Sequence, residues 1–290
     1  MSRISIRQTC TGHLLPAYWD GNDYRFLGRV QTDRGHRLRV HQQITPLSDW
    51  LVLSGNPVVD LATLAPYDRY QTNVDILNQK QVGSCVGHGF CAGMLKVRDL
   101  MGQLKIPLSA DALYSLIDRD VDQGADPMEA VAALISTGIC PLADVPDNFI
   151  LKSAISTAAW ADALRFRILQ QDVYSCANFA EMVTADMLGF AVVLTVNVGN
   201  NFGPDASRVV GYTSGVANHC VSGGEKFLQL GGVPTYQFRN SWDVTWGGVG
   251  GARPGCAYIQ AQHIDQQDSG EYYAIRYAIV DPLNPIPPLN

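Results

Sequence analysis

A cysteine thiol works as a nucleophile when three supports surround it: a base that keeps it ionised, a group that orients the base, and donors for the oxyanion it creates. The chain offers side chains for all three. Cys85 closes the segment Leu77-Asn-Gln-Lys-Gln-Val-Gly-Ser-Cys85, directly after Gly83-Ser84. That dipeptide reads as the loop and cap of a helix, whose N-terminal amides and dipole favour a thiolate. Gln79 lies six residues upstream (85 − 79), close enough for its amide to return to the loop and donate beside the Cys85 N–H. His219, in Asn218-His-Cys-Val221, follows 134 residues downstream (219 − 85), and Asn240 a further 21 (240 − 219). Taken singly each has a plainer reading: a cysteine at a helix start is usually a small buried hydrophobe, and a histidine between Asn and Cys a core residue. Their company and spacing favour chemistry.

The elements that must position these residues are legible from periodicity. Val86, Phe90, Met94 and Val97 recur at helical spacing from Cys85 to about residue 101. A second helix is expected after Leu108-Ser109-Ala-Asp111, with Leu113, Leu116 and Ile117 on one face. A third starts at Pro127, a residue suited to a first turn, and runs through Ala130, Ala133 and Leu134 to a stop at Gly138. Beyond residue 187 the pattern turns strand-like, at 191–198, 236–239 and 272–280, with glycine-rich turns between. Helices first and strands afterwards predict an α+β fold, a helical half packed against a β half. Residues 1–60 read as a strand-rich N-terminal extension, with a hairpin of 24–31 and 36–41 about Thr32-Asp-Arg-Gly35. Residues 61–290 read as the main domain, ending in a proline-rich tail.

Composition narrows the function classes. At 290 residues with 47% hydrophobic side chains, the chain can bury a full core and is not a disordered or fibrous sequence. A net charge of −6 gives no global field toward nucleic acid or anionic lipid, so neither is expected as a partner. Charged residues are only 17%, below the usual ~25%, which leaves more neutral surface than usual or surface covered by a partner. Arg25, Arg29, Arg34, Arg37 and Arg39 stand against Asp23 and Asp33, a local +3 (5 − 2) that reads as a solvated strand face or as a dock for an acidic protein partner. The run 187–196 has ten apolar-rich residues, about half the length a membrane helix needs, and reads as a buried strand. The start of the chain has no signal-like apolar stretch, so a cytoplasmic location or assembly into a particle is expected. Seven dispersed cysteines without a Cys-x-x-Cys pair predict reduced thiols and no metal site. His13, His36, His41, His88 and His263 show no ligand spacing, and 247–251 lacks the lysine and context of a phosphate loop, so no cofactor is expected.

With these blocks in order, the chain resembles the papain family of cysteine proteases. The match rests on the segment around Cys85, the His219 block, and Asn240-Ser241-Trp242 followed by Trp246-Gly247. The separation of cysteine and histidine falls in the family's window of roughly 130–150 residues. The likeness spans roughly residues 65–280, through Leu108-Ser109 and the segment 123–139. It implies a two-lobed fold, a helical left lobe and an antiparallel β right lobe with the active-site cleft between them. It implies Cys85 as nucleophile, His219 as general base and acid, Asn240 as the group orienting the imidazole, and Gln79 with the Cys85 N–H as oxyanion hole. Trp242 would shield the His–Asn bond from water, Gly124 and Ala125 would offer backbone to an extended substrate, and Pro127, Leu194 and Ala217 would line an apolar specificity pocket. The implied activity is a cysteine endopeptidase acting on protein or peptide substrates.

Departures are also visible. Val82 and Asp122 stand where secreted relatives carry a disulfide pair. Val86, Gly87 and His88 replace Trp, Ala and an aromatic residue, and Asp243 replaces a common glycine. Two other readings stay open: a structural or assembly protein, for example a viral particle subunit that retains the fold, and an acyl-transfer or deamidating enzyme built on the same triad.

Overall fold

The computed structural model describes residues 4–8, 14–19, 24–27, 44–69, 74–118, 121–148, 151–204, 209–248, 253–268 and 270–283. Cys10, His13, the arginine-rich residues 28–41, residues 249–252 and the prolines after 283 lie outside the described residues.

Strands β1 (Ile4–Gln8), β2 (Leu14–Trp19) and β3 (Tyr24–Phe26) form a small antiparallel sheet. β3 pairs back onto β2, Ala17 opposite Phe26; the second arm of the expected hairpin, 36–41, lies outside the described residues. A short strand β4 (Thr45–Pro46) and helix α1 (Leu47–Ser54) come next. Leu47 and Leu51, four apart on one face of α1, are buried in the core of the main body. Residues 44–54, read with the extension from sequence, thus pack with the main body.

Three helices follow: α2 (Cys85–Leu100), α3 (Ala110–Ile117) and α4 (Pro127–Ser136). The expected starts are present. The Ser109 hydroxyl accepts the Ala112 N–H and the Asp126 carboxylate accepts the Met128 N–H, each satisfying an otherwise open helix donor. After α4, Gly138 takes φ +88°, which ends the helix at a conformation other residues reach at a cost. α2 is buried along most of its length, and its glycines explain how. A Cβ at Gly87 would lie 2.5 Å from the Ala110 carbonyl oxygen of α3. Each glycine costs a helix about 1 kcal/mol relative to alanine, which the close packing offsets.

The main sheet has the order β10-β9-β8-β7-β11-β6-β4, with β5 (Tyr67–Asp68) paired to β8. Its strands are β6 (Val173–Cys176), β7 (Ala191–Val196), β8 (His219–Leu230), β9 (Val233–Arg239), β10 (Cys256–Gln260) and β11 (Tyr272–Ile275). All pairs are antiparallel except β4 with β6. α2 packs on one face, where Phe90, Met94 and Val97 meet Val193, Cys220 and Ile275. Helix α6 (Phe179–Met187) packs on the sheet with the second core, which contains Val192, Leu194, Val221 and Phe238. Helix α5 (Thr157–Ala163) buries Ala159 and Ala163 against Cys140 and Val145.

The run 187–196 is only partly the strand its composition predicts. Met187 ends α6, the chain turns at Gly189 with φ +84°, and the strand begins at Ala191. All six strand residues are buried. Among the described residues no helix is long and apolar enough to cross a membrane.

Candidate active site

Cys85 is the first residue of α2, and the glycines of that helix bring it onto the sheet. One turn further on, a Cβ at Gly89 would lie 2.8 Å from the Cys220 sulfur, and Cys220 follows His219 in β8. The helix bearing the thiol and the strand bearing the imidazole therefore touch one turn beyond Cys85 and one residue beyond His219. Both Cys85 and His219 have 0% exposure.

Ser84 holds the cap position of α2, yet its side chain makes no cap hydrogen bond. Its hydroxyl lies 3.1 Å from His88 Nδ1 instead. The preceding residue is tied elsewhere: the Gly83 N–H donates to Asp122 Oδ1 at 2.8 Å, and the Tyr114 O–H donates to the same oxygen at 3.0 Å. The Gly124 N–H donates in turn to the Tyr114 hydroxyl at 2.9 Å. A fully buried carboxylate, that of Asp122, thus joins the loop before Cys85 to the segment 122–125.

On the sheet side, His219 Nε2 and Asn240 Oδ1 lie 2.8 Å apart. The Ser241 N–H donates to that same Oδ1 at 2.8 Å, which fixes which end of the Asn240 amide is oxygen. Nε2 must therefore carry the proton, and in the neutral ring Nδ1 carries the lone pair. Nδ1 is buried and has no hydrogen-bond partner. Burial is the main cause that lowers the His219 pKa to about 4; the Asn240 hydrogen bond opposes the fall and the nearby His88 adds to it. The ring is accordingly a neutral base at pH 7.

Trp242 covers it, with ring centroids 4.8 Å apart and an interplanar angle of 31°. Phe202 stands edge-on to both rings, 6.2 Å from His219 and 5.7 Å from Trp242, and stacks on Trp246 at 5.9 Å. These three rings are buried and enclose the His–Asn bond. Phe202 was not singled out from sequence; it sits in a loop with no periodicity to mark it.

Gln79 links the two sides. Its N–H donates to the Ser241 carbonyl at 2.9 Å, its Oε1 accepts the Ser241 hydroxyl at 2.7 Å, and its Nε2 donates to the Val82 carbonyl at 3.0 Å. Ser241, another residue the sequence reading left without a role, thereby sets the direction of the amide. Asp243 has φ +73°, which accounts for a glycine preference there. Its carboxylate accepts from Asn78 Nδ2 at 2.8 Å and from the Thr245 N–H at 3.2 Å, local bonds that let an aspartate hold the turn.

The other sequence-predicted residues are spread more widely. Ala125 is buried next to Gly124, and Pro127 is buried in the first turn of α4. Ala217 is buried two residues before His219. Leu194 pairs with Val221 and lies in the second core, because side chains alternate along β7 and it is Val193 that meets α2. Among the described residues no group of three or more His, Cys, Asp or Glu is placed to hold a metal ion. The six described cysteines carry free thiols.

The helical layer and the antiparallel-rich sheet it packs on define a papain-like fold. Xylellain, a cysteine protease from Xylella fastidiosa, superposes with a TM-score of 0.62 at 16% identity, over 87% of this chain and 96% of that one. Digestive procathepsin L 3 of Tenebrio molitor larval midgut gives 0.61 at 14%, over 86% and 76%. The bromelain protease of Ananas comosus, solved with the E64 inhibitor, gives 0.53 at 17%, over 73% and 99%. No protein-family model and no curated protein sequence matches the chain.

Proposed function

We propose that the protein is a cysteine peptidase that hydrolyses peptide bonds through Cys85, His219 and Asn240. The observation that carries this reading is the tautomer of His219. Asn240 Oδ1 accepts the hydrogen bond of the Nε2–H, and a bare, buried Nδ1 is left on the strand in contact with the nucleophile's helix. That nitrogen takes the Cys85 proton, and the thiolate attacks the carbonyl carbon of the scissile bond. The oxyanion accepts hydrogen bonds from the Cys85 N–H and from an N–H of Gln79, whose amide Ser241 holds in place. His219 Nδ1–H then protonates the leaving amine as the tetrahedral adduct collapses to a thioester. Water attacks the thioester, gives a proton to Nδ1, and the acid product leaves as the thiol is restored.

Asn240 and Trp242 position the imidazole. The backbone of Gly124 and Ala125 is assigned to the extended substrate, and the apolar side chains of Ala125, Pro127 and Ala217 to the neighbouring pocket. Leu194 is left to the core. A mixed peptide library incubated with the protein and read by mass spectrometry tests the assignment. Hydrolysed products are expected with wild type and none with Cys85→Ala. Cleavage that persists in Cys85→Ala, or a wild-type protein that cuts nothing in the library, would overturn it.

A further inference from the structure

His88 stands three residues beyond Cys85 on α2 (88 − 85), and Ser222 three beyond His219 on β8 (222 − 219). Each is 1% exposed. Both line one cavity of about 10 Å³ between the helix and the sheet. Ser222 faces that helix by strand alternation, because Cys220, two residues before it, meets Gly89 of α2. Val193, its cross-strand partner on β7, likewise meets Gly93. The Ser222 Oγ is buried without a hydrogen-bond partner, and so is His88 Nε2. The other ring nitrogen is committed. His88 Nδ1 lies 3.0 Å from the Ser84 carbonyl oxygen, which only accepts, so Nδ1 carries a proton and the lone pair of the neutral ring lies at Nε2. Two unsatisfied polar atoms, one from each side of the seam, therefore border the same small space, and buried polar groups are rarely left unpaired.

The chemistry of the lining selects the occupant. It must donate to His88 Nε2, which no simple anion does. Arg239, opposite Ser222 on β9, also lines the cavity, and its positive charge disfavours a metal ion there. The volume has room for about one water. We propose that a single water bridges His88 Nε2 and Ser222 Oγ, and that these two are positioning residues which lock the helix bearing the thiol to the strand bearing the imidazole. The water gives one hydrogen to Nε2 and exchanges a second hydrogen bond with the Ser222 hydroxyl. Neither side chain touches substrate; both act through the spacing of α2 and β8. The kinetic consequence rests on the peptidase reading, while the bridged cavity stands independently of any activity.

A crystal structure of the full chain tests the site directly. One ordered water is expected within about 3.2 Å of both His88 Nε2 and Ser222 Oγ, and lost from Ser222→Ala. A dry cavity, or waters that each bond only one of the two atoms, would overturn the proposal. A double-mutant cycle then asks whether the pair is coupled. Ser222→Ala and His88→Phe each leave the opposite polar group short of its bridge, so each should lower the urea midpoint. The double variant, with neither polar group left, should lie no lower than the lower of the two singles. Additive shifts would contradict the bridge. For the positioning role, Ser222→Ala should lower kcat by about threefold to tenfold with KM little changed, and slow iodoacetamide labelling of Cys85 by a similar factor. Unchanged kcat and labelling in folded Ser222→Ala would overturn that role. Should His88→Phe fail to fold, the water position and the Ser222→Ala kinetics decide. A wild-type protein without cleavage would defeat the peptidase reading, whereas the water, the midpoints and the labelling rate are read without substrate.

Discussion

The two sides of the site are held by different physics. Around Cys85 the supports are polar: Asp122 and Tyr114 hold the preceding loop, and His88 with Asp111 holds Ser84. Around His219 a single hydrogen bond to Asn240 is enclosed by Trp242, Phe202 and Trp246. On the proposed peptidase reading, the contrast follows from what each side must do. A nucleophile needs backbone donors held in a fixed direction, which hydrogen bonds supply, and an orienting bond to an imidazole needs a dry wall, which aromatic rings supply. Damage to the wall should therefore appear first as lost stability, and damage to the polar side first as lost rate.

The largest effect is expected on the dry side. Trp242→Ala removes a fully buried indole and should cost about 3–5 kcal/mol in chemical denaturation, with cleavage falling in parallel as water reaches the His219–Asn240 bond. A loss below about 1 kcal/mol would show that the wall is not structural.

Acid tests the same wall without mutation. Because His219 titrates near 4 when folded and near 6.5 when unfolded, the unfolded chain binds the extra proton between those values. Stability should fall as pH drops from about 6.5 toward 4, by about 3 kcal/mol from this ring. Folded His219→Gln should have a correspondingly flatter pH–stability curve, measured by urea titration; an unchanged slope would mean that burial does not hold the ring neutral.

Asp122 sharpens the polar half. Asp122→Ala leaves the buried Gly83 N–H and Tyr114 O–H without their shared acceptor and should cost about 1–3 kcal/mol, together with a lower kcat. Asp122→Asn keeps an amide oxygen there and should recover much of both. Equal losses in the two variants would show that the carboxylate charge, rather than an acceptor at that place, holds the loop. The smallest effect is expected at Lys105, whose ion pair with Asp75 is largely exposed: Lys105→Ala should change stability by under about 0.5 kcal/mol and leave cleavage unaltered.

Much of this architecture is readable in the chain. The helices at 85, 110 and 127 announce themselves through Cys85-Val86-Phe90 periodicity, Ser109, and the pair Asp126-Pro127. The candidates Cys85, Gln79, His219 and Asn240 are legible because type and spacing coincide, and the folded chain hydrogen-bonds His219 to Asn240. Helix α6 was missed although Asn178 and Glu181 form a reciprocal cap, Asn178 accepting the Glu181 N–H and Glu181 accepting the Ala177 N–H. The apolar run that follows concealed it. Phe202 and Ser241 were not legible, since each depends on a contact that only the folded chain creates. Leu194 shows the converse: the family resemblance implies a pocket position for it, but the alternation of β7 turns it into the second core.

The central claim is that a neutral His219, oriented by Asn240, activates Cys85 above the other thiols. Alkylation by iodoacetamide at neutral pH, mapped cysteine by cysteine by mass spectrometry, measures it directly. Cys85 should react at least about 100-fold faster than the five other described cysteines, which are also buried, and lose that advantage in folded His219→Ala. Uniform slow labelling of all six, or a Cys85 rate unaltered in His219→Ala, would contradict the account.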